Sequence, residues 1–152
     1  SMLLAFLIIS LIMSALFKNI KMVIISLIPN IIPLLIAGGI MGFLSIPLKP
    51  SSALVFSIVF GISVDYSIHF LAKFKNELTK NSLSDSILLT INQTGKSMIF
   101  TSFILFFGFI IFAFSNFGGT IVLGVLTSII LFVAMITNLT LLPSIILHFY
   151  KK

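Results

Sequence analysis

"SALVFSIVFGISVDYSIHFLA", residues 52–72, decides the fold. A bilayer is crossed by one helix of about 20 apolar residues, and this stretch has that length and character. It also holds a carboxylate, Asp65. An ionisable group within a span costs at least about 2.5–3.5 kcal/mol, so it marks a bundle interior, a water cavity or a functional site.

The rest of the chain has the same solvent. It has 152 residues, of which 59% are hydrophobic and 8% charged, and its mean hydropathy is +1.31. A soluble domain carries about 25% charged residues, so lipid is the solvent here. Five apolar spans are expected, over residues 3–17, 21–44, 52–72, 97–114 and 120–149. The first is short, as if its outer end were missing, and Ser1-Met2 reads as a cut edge rather than the start of a signal peptide. Backbone polar groups in hydrocarbon are satisfied only by helices or closed barrels. The alternation that marks a barrel strand is absent. The expected fold class is therefore all-α, a polytopic transmembrane helix bundle of five spans. Pro29 and Pro33 in the second span predict a fixed kink, with Asn30 placed to satisfy a backbone group that a proline frees.

The nine basic residues are all lysines. If the 18–21 turn, the 73–96 connection and the C-terminus share one side, that side holds Lys18, Lys21, Lys73, Lys75, Lys80, Lys96, Lys151 and Lys152, and the other only Lys49. The positive-inside rule makes the lysine-rich side, and the C-terminus with it, cytoplasmic. The net charge of +6 is thus a topology signal, and no nucleic-acid partner is expected. Apolar residues at 83, 87, 88 and 91 share one helical face. They predict an amphipathic helix over about 83–95, lying along the cytoplasmic surface.

Asp65 is the leading candidate for chemistry. Low dielectric favours the neutral acid, and a carboxyl that loads and releases a proton suits a proton-driven machine. Ser57, Gly61, Asp65 and His69 recur every four residues and share a face. On it Gly61 permits close approach of another helix and His69 can shuttle protons. Tyr66 offers a hydroxyl to steady the carboxylate. In the fourth span Ser97, Thr101, Ser102 and Gly108, and in the fifth Gly124, Thr127, Leu131, Ala134 and Asn138, form small and polar stripes that mean close packing. The sharper expectation is that Thr101, Ser102 or Asn138 hydrogen-bonds Asp65 in one protonation state. His148 is expected at the membrane interface. The bland alternatives are a buried, pinned Asp65 and an interfacial His69.

Other site classes are not expected. There are no cysteines, hence no disulfide or thiolate site. No P-loop and no metal-ligand spacing occurs, so no cofactor or metal is anticipated. Three acids in all leave little room for hydrolytic chemistry, and the chain does not read as an enzyme.

The run "IPNIIPLLIAGGIMGFLSIPLKPSSALVFSIVFGISVDYSIHFLAKFKNEL", followed by "TGKSMIFTSFILFFGFIIFAFSNF" and "FGGTIVLGVLTSIILFVAMITNLTLLPSIIL", resembles the resistance-nodulation-division superfamily of exporters. Within it the likeness is to the MMPL branch, related to Patched and sterol-sensing proteins. The resemblance rests on a proline-bearing helix, a Gly-x-x-x-Asp-Tyr helix and a basic loop in that order. It implies a proton-driven exporter of lipids or other hydrophobic molecules in a bacterial inner membrane, with two six-helix repeats, each carrying a porter domain after its first helix. The five spans then match the last five helices of one repeat, and Asp65 and Tyr66 match the family's proton-relay pair. Asn138 stands where many relatives carry an aspartate. The porter domain and the other repeat are expected as partners outside this chain, and the family includes both monomers and trimers. Two other readings remain: a sterol-sensing-like, lipid-binding module that does not transport, and, more weakly, a passive channel.

Overall fold

The computed structural model describes residues 8, 11–15 and 20–150. The first expected span, 3–17, falls largely outside them; of it, Ile8 and residues 11–15 are helical. The other helices are α1 (Ile20–Phe43), α2 (Pro50–Leu78), α3 (Leu83–Thr90), α4 (Lys96–Ile110) and α5 (Gly118–Tyr150). A π turn, Ile91–Gly95, joins α3 to α4, and a 3-10 turn, Ile111–Phe114, follows α4. No strand occurs among the described residues. The runs Lys21–Phe43, Pro50–Leu78, Leu83–Phe114 and Gly118–Tyr150 are each long and apolar enough to cross a membrane. The molecule is an all-α, multi-pass membrane bundle.

Local chemistry sets the ends. α1 stops where Ser45 turns left-handed (φ 51°), and the Ile46 N–H closes back on the Met41 carbonyl at 2.8 Å. Pro50 opens α2 at a position where no N–H is needed, and the Ser52 hydroxyl accepts the Lys49 N–H at 2.8 Å. Ser82 caps α3, accepting from the Asp85 N–H at 3.3 Å. α1 continues through both prolines. Asn30 gives its amide nitrogen to the Ser26 carbonyl at 2.7 Å. The carbonyls whose partners Pro29 and Pro33 remove are those of residues 25 and 29, so the role expected for Asn30 is replaced by another.

α5 is the hub, packing against α1, α2 and α4, while α1 also packs on α2. α2 and α5 run parallel: Ser51 lies beside Gly119, Ser67 bonds Asn138, and the Phe74 and Tyr150 rings meet edge to face at 5.7 Å. α4 runs antiparallel to α5, since Gly95 meets Leu139 and Phe112 meets Gly124. These directions bring Lys21, Lys73, Lys75, Lys80 and Lys96 to one end and leave Lys49 at the other. The core is apolar at both ends. Phe70, Phe74, Leu142 and Ile146 pack at the lysine end, and Ala37, Met41, Val55, Val59 and Ile130 at the other.

The helix expected over 83–95 differs. The backbone stays right-handed through Thr90, Ile91, Gly95 and Lys96, so α3, the π turn and α4 form one helical run rather than a separate surface helix. Leu83 and Ile91 pack against the core of the lysine end, and that packing directs the run. Beyond it α4 and the 3-10 turn present a broad apolar face outward, with Phe100, Ile104, Phe107 and Ile111 all more than half exposed.

Candidate functional site

The groove between α2 and the π turn with α4 carries the ionisable groups. It encloses about 440 Å³ and is lined by Asp65, Tyr66, His69, Ala72, Lys73 and Asn76 on one wall, and Thr94, Ser97, Met98 and Thr101 on the other. At 1.5 Å per residue, Asp65 lies about 20 Å from either end of α2. It therefore sits at mid-depth of a membrane-spanning helix. His69 is one turn nearer the lysine end, and its Nε2 approaches the Asp65 Oδ1 at 3.3 Å. One turn further, Lys73 pairs with Glu77 at 2.8 Å. A file of polar groups thus leads from mid-membrane to the lysine end.

The shared face of Ser57, Gly61, Asp65 and His69 exists, but it points away from the bundle. The Asp65 and His69 side chains are 62% and 69% exposed, and a Cβ placed on Gly61 would meet nothing within 4 Å. Gly61 is therefore not a crossing point with another described helix. The expected partners of Asp65 are also redirected. Ser102 is buried and pairs with the Tyr66 hydroxyl at 2.6 Å. Asn138 is buried on the far side of α2. Thr101 and Ser97 do line the groove with Asp65. The physical reason is angular: on a helix, neighbours 100° apart face different partners, so Asp65 looks outward while Tyr66 looks to α4. His148 is exposed.

A second polar group was not legible as a unit. Ser26 and Asn30 of α1, Ser63 and Ser67 of α2, and Asn138 of α5 are all fully buried. Ser63 donates to the Asn30 Oδ1 at 2.6 Å and Ser67 to the Asn138 Oδ1 at 2.6 Å. The Asn138 amide donates to the Ser63 Oγ at 3.1 Å and to the Asn30 Oδ1 at 3.3 Å. This knot ties three helices at the depth of Asp65, between the two apolar cores. The signal that could have found it is the spacing: Ser26/Asn30 and Ser63/Ser67 are each four apart, hence on one face. The stripe of α5 is buried throughout, at Gly124, Thr127, Leu131, Ala134 and Asn138. Among the described residues no cluster of His, Asp or Glu could hold a metal ion.

A family model described as "MMPL family" matches residues 1–149. The chain is similar to "Putative membrane protein MJ1562" of Methanocaldococcus jannaschii, 30% identical over 124 residues, which make up 81% of this chain and 32% of that protein. It thus spans about a third of the length of the curated relative it matches. No solved structure matches. With a family match over nearly its whole length and a helical membrane bundle that contains the Gly-x-x-x-Asp-Tyr helix, the chain belongs to the MMPL family.

Proposed function

We propose that this chain is the proton-coupling transmembrane half of an exporter driven by the proton-motive force, moving lipids or other hydrophobic molecules. The observation that carries the reading is the outward-facing Asp65 at mid-depth, with His69 at 3.3 Å and a polar groove running to the lysine end. Bare hydrocarbon over that carboxyl would cost at least about 2.5–3.5 kcal/mol. The face therefore needs a cover that admits protons and water, and the other repeat of the same transporter is that cover. Asp65, steadied by His69, takes a proton; Tyr66, held by Ser102, stands beside it. Change of charge at Asp65 alters how the cover sits on α2, and a porter domain converts the movement into export. One proton crossing about 100 mV releases about 2.3 kcal/mol, enough to bias such packing. By the lysine distribution the lysine end and the C-terminus face the cytoplasm.

The test uses the full-length protein in vesicles with an imposed pH gradient, comparing substrate-dependent proton flux before and after Asp65→Asn. Loss of flux with normal insertion supports the reading; unchanged flux overturns it. A lipid-sensing alternative draws on a different observation. An apolar cleft of about 640 Å³ opens between α1 and α2, lined by Ile31, Leu34, Leu35, Leu48 and Phe56. It would be favoured if lipid binding persisted while Asp65→Asn changed nothing.

A further inference from the structure

The π turn at Ile91–Gly95 holds one residue more than an α-helix would place there, and such turns gather at functional sites. Here it borders the groove, where Thr94 lies on the wall opposite Asp65. The helical run is held on both sides of it. Upstream, Ile87 of α3 is buried in the core of the lysine end and Leu83 packs against that core. Downstream, Gly124 is pressed on the Phe109 carbonyl and Phe112, where even one added carbon would lie within 2.6 Å. The surplus residue is thus enclosed between two fixed points, and it can move only along the stretch between them.

We propose that α4 has two registers, exchanged by passage of the π turn along the helix from the 91–95 position to the 103–108 stretch. A residue inserted in a helix sets everything after it back by one position, or 100°. When the turn passes downstream, each residue it has crossed takes the site its successor held. Thr101 then stands where Ser102 now meets Tyr66, and one hydroxyl replaces another. The sequence suits this exchange, because two hydroxyl residues adjoin at that point and the 2.6 Å bond to Tyr66 is remade rather than lost. The groove wall changes at the same time. Phe100 takes the site of Thr101, and Lys96 takes that of Ser97. Ser97 takes that of Met98, so the wall of Thr94, Ser97, Met98 and Thr101 gains a phenyl ring and a cation beside Asp65 and His69. Thr94 takes the place of Gly95, where a Cβ meets the terminal methyl of Leu139 at 3.1 Å and the Ile91 Cγ2 at 3.7 Å; a small shift of the leucine side chain relieves the closer contact. The two registers are alternative packings of one sequence, the kind of bistable element through which switching proceeds. The device does not depend on proton coupling.

The test is made in the full-length protein. Deletion of Thr94 removes the surplus residue and fixes the observed register; it is expected to insert and fold as the unaltered protein does. Deletion of Leu105, within the stretch that the turn reaches, removes the surplus residue from the second register instead; it is expected to fold and to hold Thr101 at Tyr66. 3-Fluorotyrosine placed at position 66 alone then reports the partner hydroxyl by fluorine NMR. The unaltered protein should give two resonances, of which Ser102→Ala moves one and Thr101→Val the other, and the Thr94 deletion should leave only the first. A spectrum untouched by Thr101→Val, two resonances surviving the Thr94 deletion, or failure of that deletion to fold would each overturn the proposal.

Discussion

Replacing Asn138 by alanine removes the centre of the buried polar knot. Three of its hydrogen bonds cross between helices, to Ser67, Ser63 and Asn30, and a fourth stays within α5, to the Ala134 carbonyl. Interhelical hydrogen bonds in membrane proteins average about 0.6 kcal/mol and reach about 1.7. Three therefore give about 2 kcal/mol, with a ceiling near 5 kcal/mol. Part of the loss is recovered, because Ser67 can turn its proton to the Asn30 Oδ1 at 3.1 Å. Ser102→Ala removes one interhelical bond, that to Tyr66, and should cost about 0.6 kcal/mol. Equilibrium unfolding of the full-length protein in mixed micelles measures both. The expected order is a loss at Asn138 about three times that at Ser102, and a double-mutant cycle of Asn30→Ala with Asn138→Ala should show coupling. A loss at Asn138 no larger than that at Ser102, with additive double mutants, would refute the idea that the knot binds the three helices as a unit.

Gly124→Ala should destabilise the bundle by about 1–3 kcal/mol, the range for overpacking, since the new carbon would lie 2.5 Å from Phe112 and 2.6 Å from a backbone carbonyl; thermal unfolding in detergent measures it. A Cβ at Gly61 meets nothing within 4 Å, so for Gly61→Leu a lowered melting temperature in the full-length protein would reveal the helix that covers the groove face, and an unchanged one would show that face uncovered. Asp65→Asn, which keeps the shape and polarity of the carboxyl, should leave insertion and folding intact while abolishing proton-dependent activity; unfolding curves and flux assays on the same preparation separate the two. Tyr66→Phe should cost about 0.6 kcal/mol through the lost Ser102 bond, and its effect on unfolding should vanish in a Ser102→Ala background.

The sequence alone determined the solvent, and through it the fold class, because a chain with 59% hydrophobic and 8% charged residues lies in lipid, where its backbone is satisfied by helices or a closed barrel, and it lacks the alternation of barrel strands. It also determined which end carries the lysines, since helix direction alternates from span to span, and it picked out Asp65 because an acid in a span is costly wherever it points. What it could not determine is direction around each helix axis. The fourfold spacing put Gly61, Asp65 and His69 on one face, but whether that face met α4, α5 or the outside depended on how α5 docks. Docking gave the inner face to Ser63 and Ser67, which find Asn30 and Asn138, and so turned Asp65 outward. The joining of α3 to α4 through a π turn was equally a tertiary outcome. A surplus residue is invisible in local periodicity, and appears only when the packing on both sides of it fixes the register that it interrupts.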